Sequence, residues 1–199
     1  MENRLIKHIT QYITLTESEQ ERLLSKISTK VLKKRELLLE AGKICENQHF
    51  IVTGCFRLFI INEKGTEQTL QFGIEDWWIT DYMSFSTQKP SHFYIQAIER
   101  SEIITISKTQ LDELYQEIPQ LERYFRIVLQ KAFAASQMRI MFLFTMSAED
   151  RYHHFNTVVP DFVSRVPQYM IASYLDFSAE FLSKIRAGLN PKQNTKTKS

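Results

Sequence analysis

The residues best equipped for chemistry in this 199-residue chain sit near its C-terminal end. Between Ser178 and Arg186 stand a carboxylate (Glu180), an ammonium (Lys184) and a guanidinium (Arg186), with the hydroxyls of Ser178 and Ser183 between them. On a helix, Ala179, Glu180, Ser183, Lys184 and Arg186 form a polar outer face, while Leu182 and Ile185 point inward. A face carrying both signs can pair with phosphate oxyanions and exchange hydrogen bonds with base edges, which suits DNA. It does not suit bond-breaking chemistry. No Gly-rich phosphate loop, Gly-x-Ser-x-Gly turn or Cys-x-x-Cys pair occurs, so the chain is not expected to be an enzyme.

What must position that face is the segment from Pro167 to Gly188, which parses as helix, turn, helix. Pro167 suits the first helical position, where its missing N–H costs nothing, and Ile171 with Leu175 makes an apolar face. Ala172 lies where the two axes would cross, and its small side chain lets Leu182 and Ile185 pack back. Ser178 suits the N-cap and Gly188 the stop. Two helices packed for stability alone would share the apolar spacing. They would not also need a small residue, a tight turn, an N-cap and a polar outer face at helix-turn-helix intervals. The charge distribution agrees. The net charge is only +2, yet the segment from Arg165 onward holds six basic residues against two acidic ones, +4, and the preceding residues carry −2.

Upstream, Ser147 with Asp150 resembles a capping box opening a helix that carries Tyr152, Phe155 and Val158 as far as Pro160. After Pro119 neither Gly nor Pro interrupts the chain before Thr145, which predicts one long helix. Its apolar residues at Leu121, Phe125, Val128, Ala132, Ala135, Phe142 and Met146 form a seam. Such a helix reaches roughly 39 Å at 1.5 Å per residue, longer than cover for a small β domain requires, so the seam is expected to pair two subunits. Lys30–Glu40, His49–Asn62, Glu67–Phe72 and Phe93–Ser107 read as strands, with turns at Ala41-Gly42, Thr53-Gly54, Asn62 to Gly65 and Lys89-Pro90. That spacing belongs to an antiparallel sandwich or barrel. Helices are expected at Glu2–Tyr12 and Glu17–Ile27, the second opened by a Thr16/Glu19 capping box, and another short one around Leu111, Leu114 and Tyr115. The expected division is 1–118, 119–146, 147–189 and a disordered tail, 190–199, that has no apolar residue.

A hydrophobic share of 43% and an aromatic share of 12% suffice for a core that needs neither disulfides nor metal. Met1 to Tyr12 is broken by Glu2, Arg4, Lys7 and His8, and no stretch approaches the roughly 18 apolar residues of a membrane span. A cytoplasmic protein without membrane contact is expected. Cys45 and Cys55 are expected to be reduced thiols. A metal-binding barrel of the cupin type would need clustered His and carboxylates, but His8, His49, His92, His153 and His154 form no His-x-His pair. No metal or other cofactor is expected. A further alternative is a small-molecule sensor whose C-terminal helices contact protein only; a steep salt dependence of binding would separate the DNA reading from it.

In Ser147-Ala148-Glu149-Asp150-Arg151-Tyr152, Arg165-Val166-Pro167-Gln168, Ile171-Ala172-Ser173-Tyr174-Leu175 and Leu182-Ser183-Lys184-Ile185-Arg186 the chain resembles the Crp/Fnr family of transcription regulators. The likeness extends from Glu17 to Leu189. It implies an α+β architecture: an N-terminal antiparallel β-roll of the cyclic-nucleotide-binding-like type (a double-stranded β-helix), a long dimerisation helix and an all-α helix-turn-helix domain. It also implies a homodimer on an inverted-repeat operator in double-stranded DNA, with RNA polymerase as a further partner. By the resemblance Ser178 to Gly188 is the recognition helix, with Ala179, Glu180, Ser183 and Lys184 nearest the bases and Gln168 contributing from the first helix. Glu180 can accept from a cytosine amino group, Lys184 can donate to guanine O6 or N7, and Arg186 is placed for a phosphate. In a dimer the two recognition helices would stand about 34 Å apart, matching successive major grooves. At the turn, where the family commonly has Gly, this chain has Asp176, which tolerates the left-handed conformation at a cost on the order of 1 kcal/mol. Few residues follow Gly188, so no β-hairpin wing is expected and backbone contacts should be fewer.

Relatives that bind cyclic nucleotides hold the phosphate with a Gly-Glu pair and an Arg. Here Ile79-Thr80 stands at the first position and Ser91 or His92 at the second, so neither cAMP nor cGMP is expected to bind in that way. Trp77, Trp78, Thr80, Tyr82, Ser91, His92 and Tyr94, with Phe85 and Phe93, could line a pocket for an uncharged or aromatic effector of unknown identity, or simply fill a core. An iron–sulfur cluster needs about four Cys ligands, and the chain has two.

Overall fold

The structure, a computed structural model, describes residues 2–188. Helices α1 (Glu2–Ile9) and α2 (Glu17–Ser25) lead into strands β1 (Ser28–Leu32), β2 (Leu37–Leu39), β3 (Asn47–Thr53), β4 (Phe56–Ile61), β5 (Glu67–Gly73) and β6 (Trp78–Ile79). A short helix, α3 (Tyr82–Thr87), precedes β7 (Tyr94–Ala97) and β8 (Ser101–Ser107). The strands form two antiparallel sheets, ordered β1-β8-β3-β6 and β2-β7-β4-β5. The expected runs Lys30–Glu40 and Phe93–Ser107 therefore each break into two strands belonging to different sheets. The first break is a turn with Arg35 at φ 69, whose N–H donates to Ala97 O while Ala97 N–H donates to Glu36 O. Corners of this kind make a roll, and strand alternation alone does not reveal them.

Inside the roll Leu39, Ile51, Leu58, Ile79, Ile95 and Ile103 are buried. On the outer face of the first sheet, Phe50 meets His8 of α1, and Trp78 meets Tyr124 and Phe125 of the helix that follows the roll. The Thr16/Glu19 capping box forms, and a second box, Ser107 with Gln110, opens α4 (Lys108–Glu117). Helices α1 and α2 are shorter than expected, ending at Ile9 and Ser25.

Helix α5 (Gln120–Thr145) is unbroken over 26 residues. Both ends of the expected seam pack within the chain. Leu121 and Tyr124 are buried in the chain's own core, with Phe125 and Val128 packed on it, and Phe142 lies against His154. The predicted seam is thus an intramolecular face at both ends. About a third of a turn away, at about 100° per residue, Leu129, Phe133, Ser136, Ile140 and Phe144 form an exposed stripe, with Phe133 63% and Phe144 86% accessible. Contrary to the expectation that no stretch approaches a membrane span, α5 is long and apolar enough to cross one by length and composition alone. Two of its charged residues bond within this chain: Lys131 donates to Tyr12 OH and Arg139 to Tyr174 O.

Beyond α5 come α6 (Ala148–Val158), α7 (Pro160–Arg165), α8 (Gln168–Leu175) and α9 (Ala179–Gly188). Ser147 caps α6 through Asp150 N–H and donates to the Asp150 carboxylate. These helices share a second core, in which Tyr152, Phe162, Val166 and Met170 surround Cys55, Phe72 and Ile98 of the roll. The expected tail, 190–199, lies outside the described residues.

Candidate nucleic-acid interface

Helices α8 and α9 make the predicted helix-turn-helix. Pro167 is the N-cap of α8 rather than its first helical residue, and Asp176 turns the chain in the left-handed region, φ 63 and ψ 51. The Asp176 N–H donates to Ala172 O and Ser173 O, and Phe177 N–H to Ala172 O, closing the end of α8. Ser178 Oγ accepts from Phe181 N–H at 3.2 Å, which is the expected N-cap. Ile171, Ala172 and Leu175 are buried against Leu182 and Ile185. Gly188, the expected stop, is the last residue of α9 and the last described residue.

Gln168, Ser178, Ala179, Glu180, Ser183, Lys184 and Arg186 are all exposed. Its own backbone N–H and the Ser178 hydroxyl hold the Glu180 carboxyl below its ordinary value, keeping it an acceptor. Among the described residues no ion pair engages Lys184 or Arg186. The face therefore offers a carboxylate, hydroxyls and two cations to solvent on one short helix. Sequence reasoning missed Tyr169 and Phe181, which flank this face at 47% and 43% exposure.

It also missed what holds α8. Arg139 lies over the Tyr174 ring and donates to Tyr174 O at 2.8 Å, while Arg151 donates to Leu175 O and Met146 O at 3.1 and 2.9 Å. On its other side α8 meets β5, the edge strand of its sheet. Ser173 Oγ accepts from Thr69 N–H at 2.8 Å and donates to Glu67 O at 3.1 Å, and Gln68 donates to Ser173 O. One hydroxyl thus replaces the backbone pair that a further strand would supply. Phe72 packs on Phe162 and Tyr174. Arg165 donates to Glu75 at 2.7 and 3.0 Å and to Glu99 at 2.5 and 3.1 Å. Burial pushes the Glu75 carboxyl up, but its bonds from Arg165 and the Gly54 N–H bring it below the ordinary value, so Glu75 faces Arg165 as a carboxylate. Beneath this contact, burial pushes the Cys55 thiol up to about 12 and keeps it protonated. A cleft of about 370 Å³ between Thr66–Gln68 and Ser178–Ala179 separates the β4–β5 hairpin from the N-terminus of α9.

The residues expected to line an effector pocket do not converge. Trp78 faces the helices and donates to Tyr124 OH at 2.7 Å, Tyr94 stacks on Phe59, and Trp77 and His92 are exposed. Thr80 and Ser91 are instead tied into the chain. Thr80 Oγ1 donates to Asn47 O at 3.0 Å, and Ser91 Oγ donates to Asp81 at 2.7 Å. The buried Asp81 carboxylate accepts from Met83 N–H and Ser84 N–H at the start of α3. A side chain of the chain itself thus occupies that helix terminus as its N-cap. Among the described residues no three His, Cys, Asp or Glu side chains form a group that could hold a metal ion.

Residues 29–118 match the cyclic nucleotide-binding domain family. The anaerobic regulatory protein of Haemophilus influenzae is 28% identical over 141 residues, covering 69% of this chain and 53% of that protein. The chain spans about half the length of the curated relatives it matches. Among solved structures, the c-di-GMP responsive global regulator CLP of Xanthomonas campestris aligns with a TM-score of 0.73 at 14% identity, over 88% of this chain and 92% of that one. A protein from Eubacterium rectale, assigned to the Crp/Fnr family as a transcriptional regulator, aligns with a TM-score of 0.70 at 15% identity, over 90% of this chain and 88% of that one. At such identities the structural likeness is one of fold. In its roll, long helix and C-terminal helical unit, taken in that order, the chain is similar in fold to this Crp/Fnr protein, and its roll is similar to the cyclic nucleotide-binding domain family.

Proposed function

We propose that this chain is a sequence-specific DNA-binding transcription regulator that reads an inverted repeat as a homodimer. The observation that carries the reading is the solvent-facing polar side of α9, held on a buried Leu182/Ile185 base. Its groups match the donors and acceptors of major-groove edges and the charge of phosphates. The homodimer is supported by the Leu129–Phe133–Ser136–Ile140–Phe144 stripe, whose steps of four and three are those of a helix-pairing seam. A second copy of α5 would cover it.

The roll is a sensor domain that does not take a cyclic nucleotide by its phosphate. Where relatives present free amides and an Arg, Asp81 already accepts those amides, and Ser91 donates to Asp81. A phosphate brought there would have to displace the buried Asp81 side chain from those amides.

Selection of bound duplexes from a random pool by the purified full chain tests the function. A two-fold symmetric motif, bound with affinity that falls steeply as salt rises, is expected. Uniformly weak binding to every sequence would refute the reading.

A further inference from the structure

We infer that Arg165 and Ser173 are positioning residues that set the spacing between the two half-sites this protein accepts; the inference rests on the DNA reading proposed above. In a dimer joined through α5, the separation of the two recognition helices depends on how rigidly each helix-turn-helix is held to the rest of its own chain. If α8 hung on the Met146–Ser147 junction alone, α9 could swing, and sites of several spacings would bind comparably.

The structure shows a clamp instead. On one side α8 is fixed to α5 and α6 through Arg139 and Arg151, which reach the carbonyl oxygens of Tyr174 and Leu175. On the other, besides the apolar packing of Phe72 on Phe162 and Tyr174, it is fixed to the roll by two polar contacts of different kinds. Ser173 completes the open edge of β5 with one accepted and one donated hydrogen bond. Arg165, just ahead of α8, bridges Glu75 and Glu99, which come from two separate corners of the roll. A guanidinium fork bound to two carboxylates fixes direction as well as distance. Because α9 is locked to α8 by the Ala172, Leu182 and Ile185 packing, fixing α8 on two sides fixes the recognition helix. The polar part of the roll contact is partly exposed, Arg165 at 29%, so it can be weakened while the apolar packing of Phe72 on Phe162 and Tyr174 stays in place.

The test uses the full chain carrying Arg165→Gln with Ser173→Ala, and Ser173→Ala alone as the milder variant. Probes are duplexes bearing the half-sites selected by the unaltered protein, at their native spacing and with one base pair added or removed between them. The unaltered protein should prefer the native spacing at least about tenfold, since one base pair rotates a half-site by roughly a tenth of a turn. The double variant should reduce that preference to within about threefold and leave the base preferences of each half-site unchanged. Hydrogen exchange at the Thr69 amide, which loses its Ser173 acceptor, should quicken and show that the clamp has opened. An unchanged spacing preference despite faster Thr69 exchange overturns the inference, as does a changed half-site motif. If the unaltered protein selects no two-fold motif, the DNA reading itself fails and the inference with it.

Discussion

Trp78 Nε1 donates a 2.7 Å hydrogen bond to the phenol oxygen of Tyr124, joining the smallest strand of the roll to the first turns of the long helix. The same phenol lies 2.8 Å from His8 Nδ1, so α1, β6 and α5 meet on one buried hydroxyl. Burial lowers the His8 pKa and raises that of Tyr124. Tyr124 accepts from Trp78, and with His8 neutral and protonated on Nε2 its O–H donates a hydrogen bond to His8 Nδ1. Tyr124→Phe leaves the Trp78 N–H without its acceptor and His8 Nδ1 without its donor, in the interior. We expect a loss of about 2 kcal/mol in urea unfolding with an unchanged m-value. A loss within experimental error would show that water reaches both groups.

Stability should fall on mild acidification because of buried imidazole. Burial lowers the His49 pKa to about 4, with Nδ1 2.9 Å from Thr105 Oγ1. The unfolded chain takes up a proton below about pH 6.5, whereas the folded chain does so only near pH 4. The stabilisation is therefore complete above pH 6.5 and is lost between 6.5 and 4, on the order of 3 kcal/mol in all. His8 acts in the same direction. The depressed carboxyls of Glu75 and Asp76 lose their contribution only lower, below the ordinary carboxylate range. Urea unfolding at pH 7.5, 6 and 5 should show the decline, and His49→Gln should make it shallower. Parallel curves for the two proteins would count against this assignment.

Opposite sides of α5 should respond differently to charge. Phe133→Glu places a carboxylate in the exposed stripe and is expected to weaken self-association on the order of 100-fold, read by sedimentation equilibrium. Met138→Glu, on an exposed position nearly opposite the stripe, should leave association intact. Equal effects of the two would mean that the stripe is not the contact.

Two cations on α9 should have separable roles. Lys184→Ala should relax preference at one position per half-site, at about 1–3 kcal/mol, with other positions unchanged. Arg186→Ala should weaken binding to all sequences alike and reduce the salt slope by about 1. Motif selection with each variant decides, and an unaltered motif for Lys184→Ala would remove that residue from base reading.

What the sequence by itself determined was local. The Ser178 cap, the left-handed Asp176, the Ala172 crossing and the unbroken run of α5 follow from residues within a few positions of one another, and all four are found. Tertiary structure alone decided which partner each apolar or charged face meets. Helix α5 is apolar on more than one side, so a 3.6-residue period could not show that Leu121 and Val128 turn inward while Leu129 and Phe133 stay open. The division of Lys30–Glu40 between two sheets depended on long-range pairing of the same kind. Arg165 finds Glu99 and Glu75 across 66 and 90 positions. Periodicity records how hydrophobic a face is, and it carries no information about what the rest of the chain brings against that face.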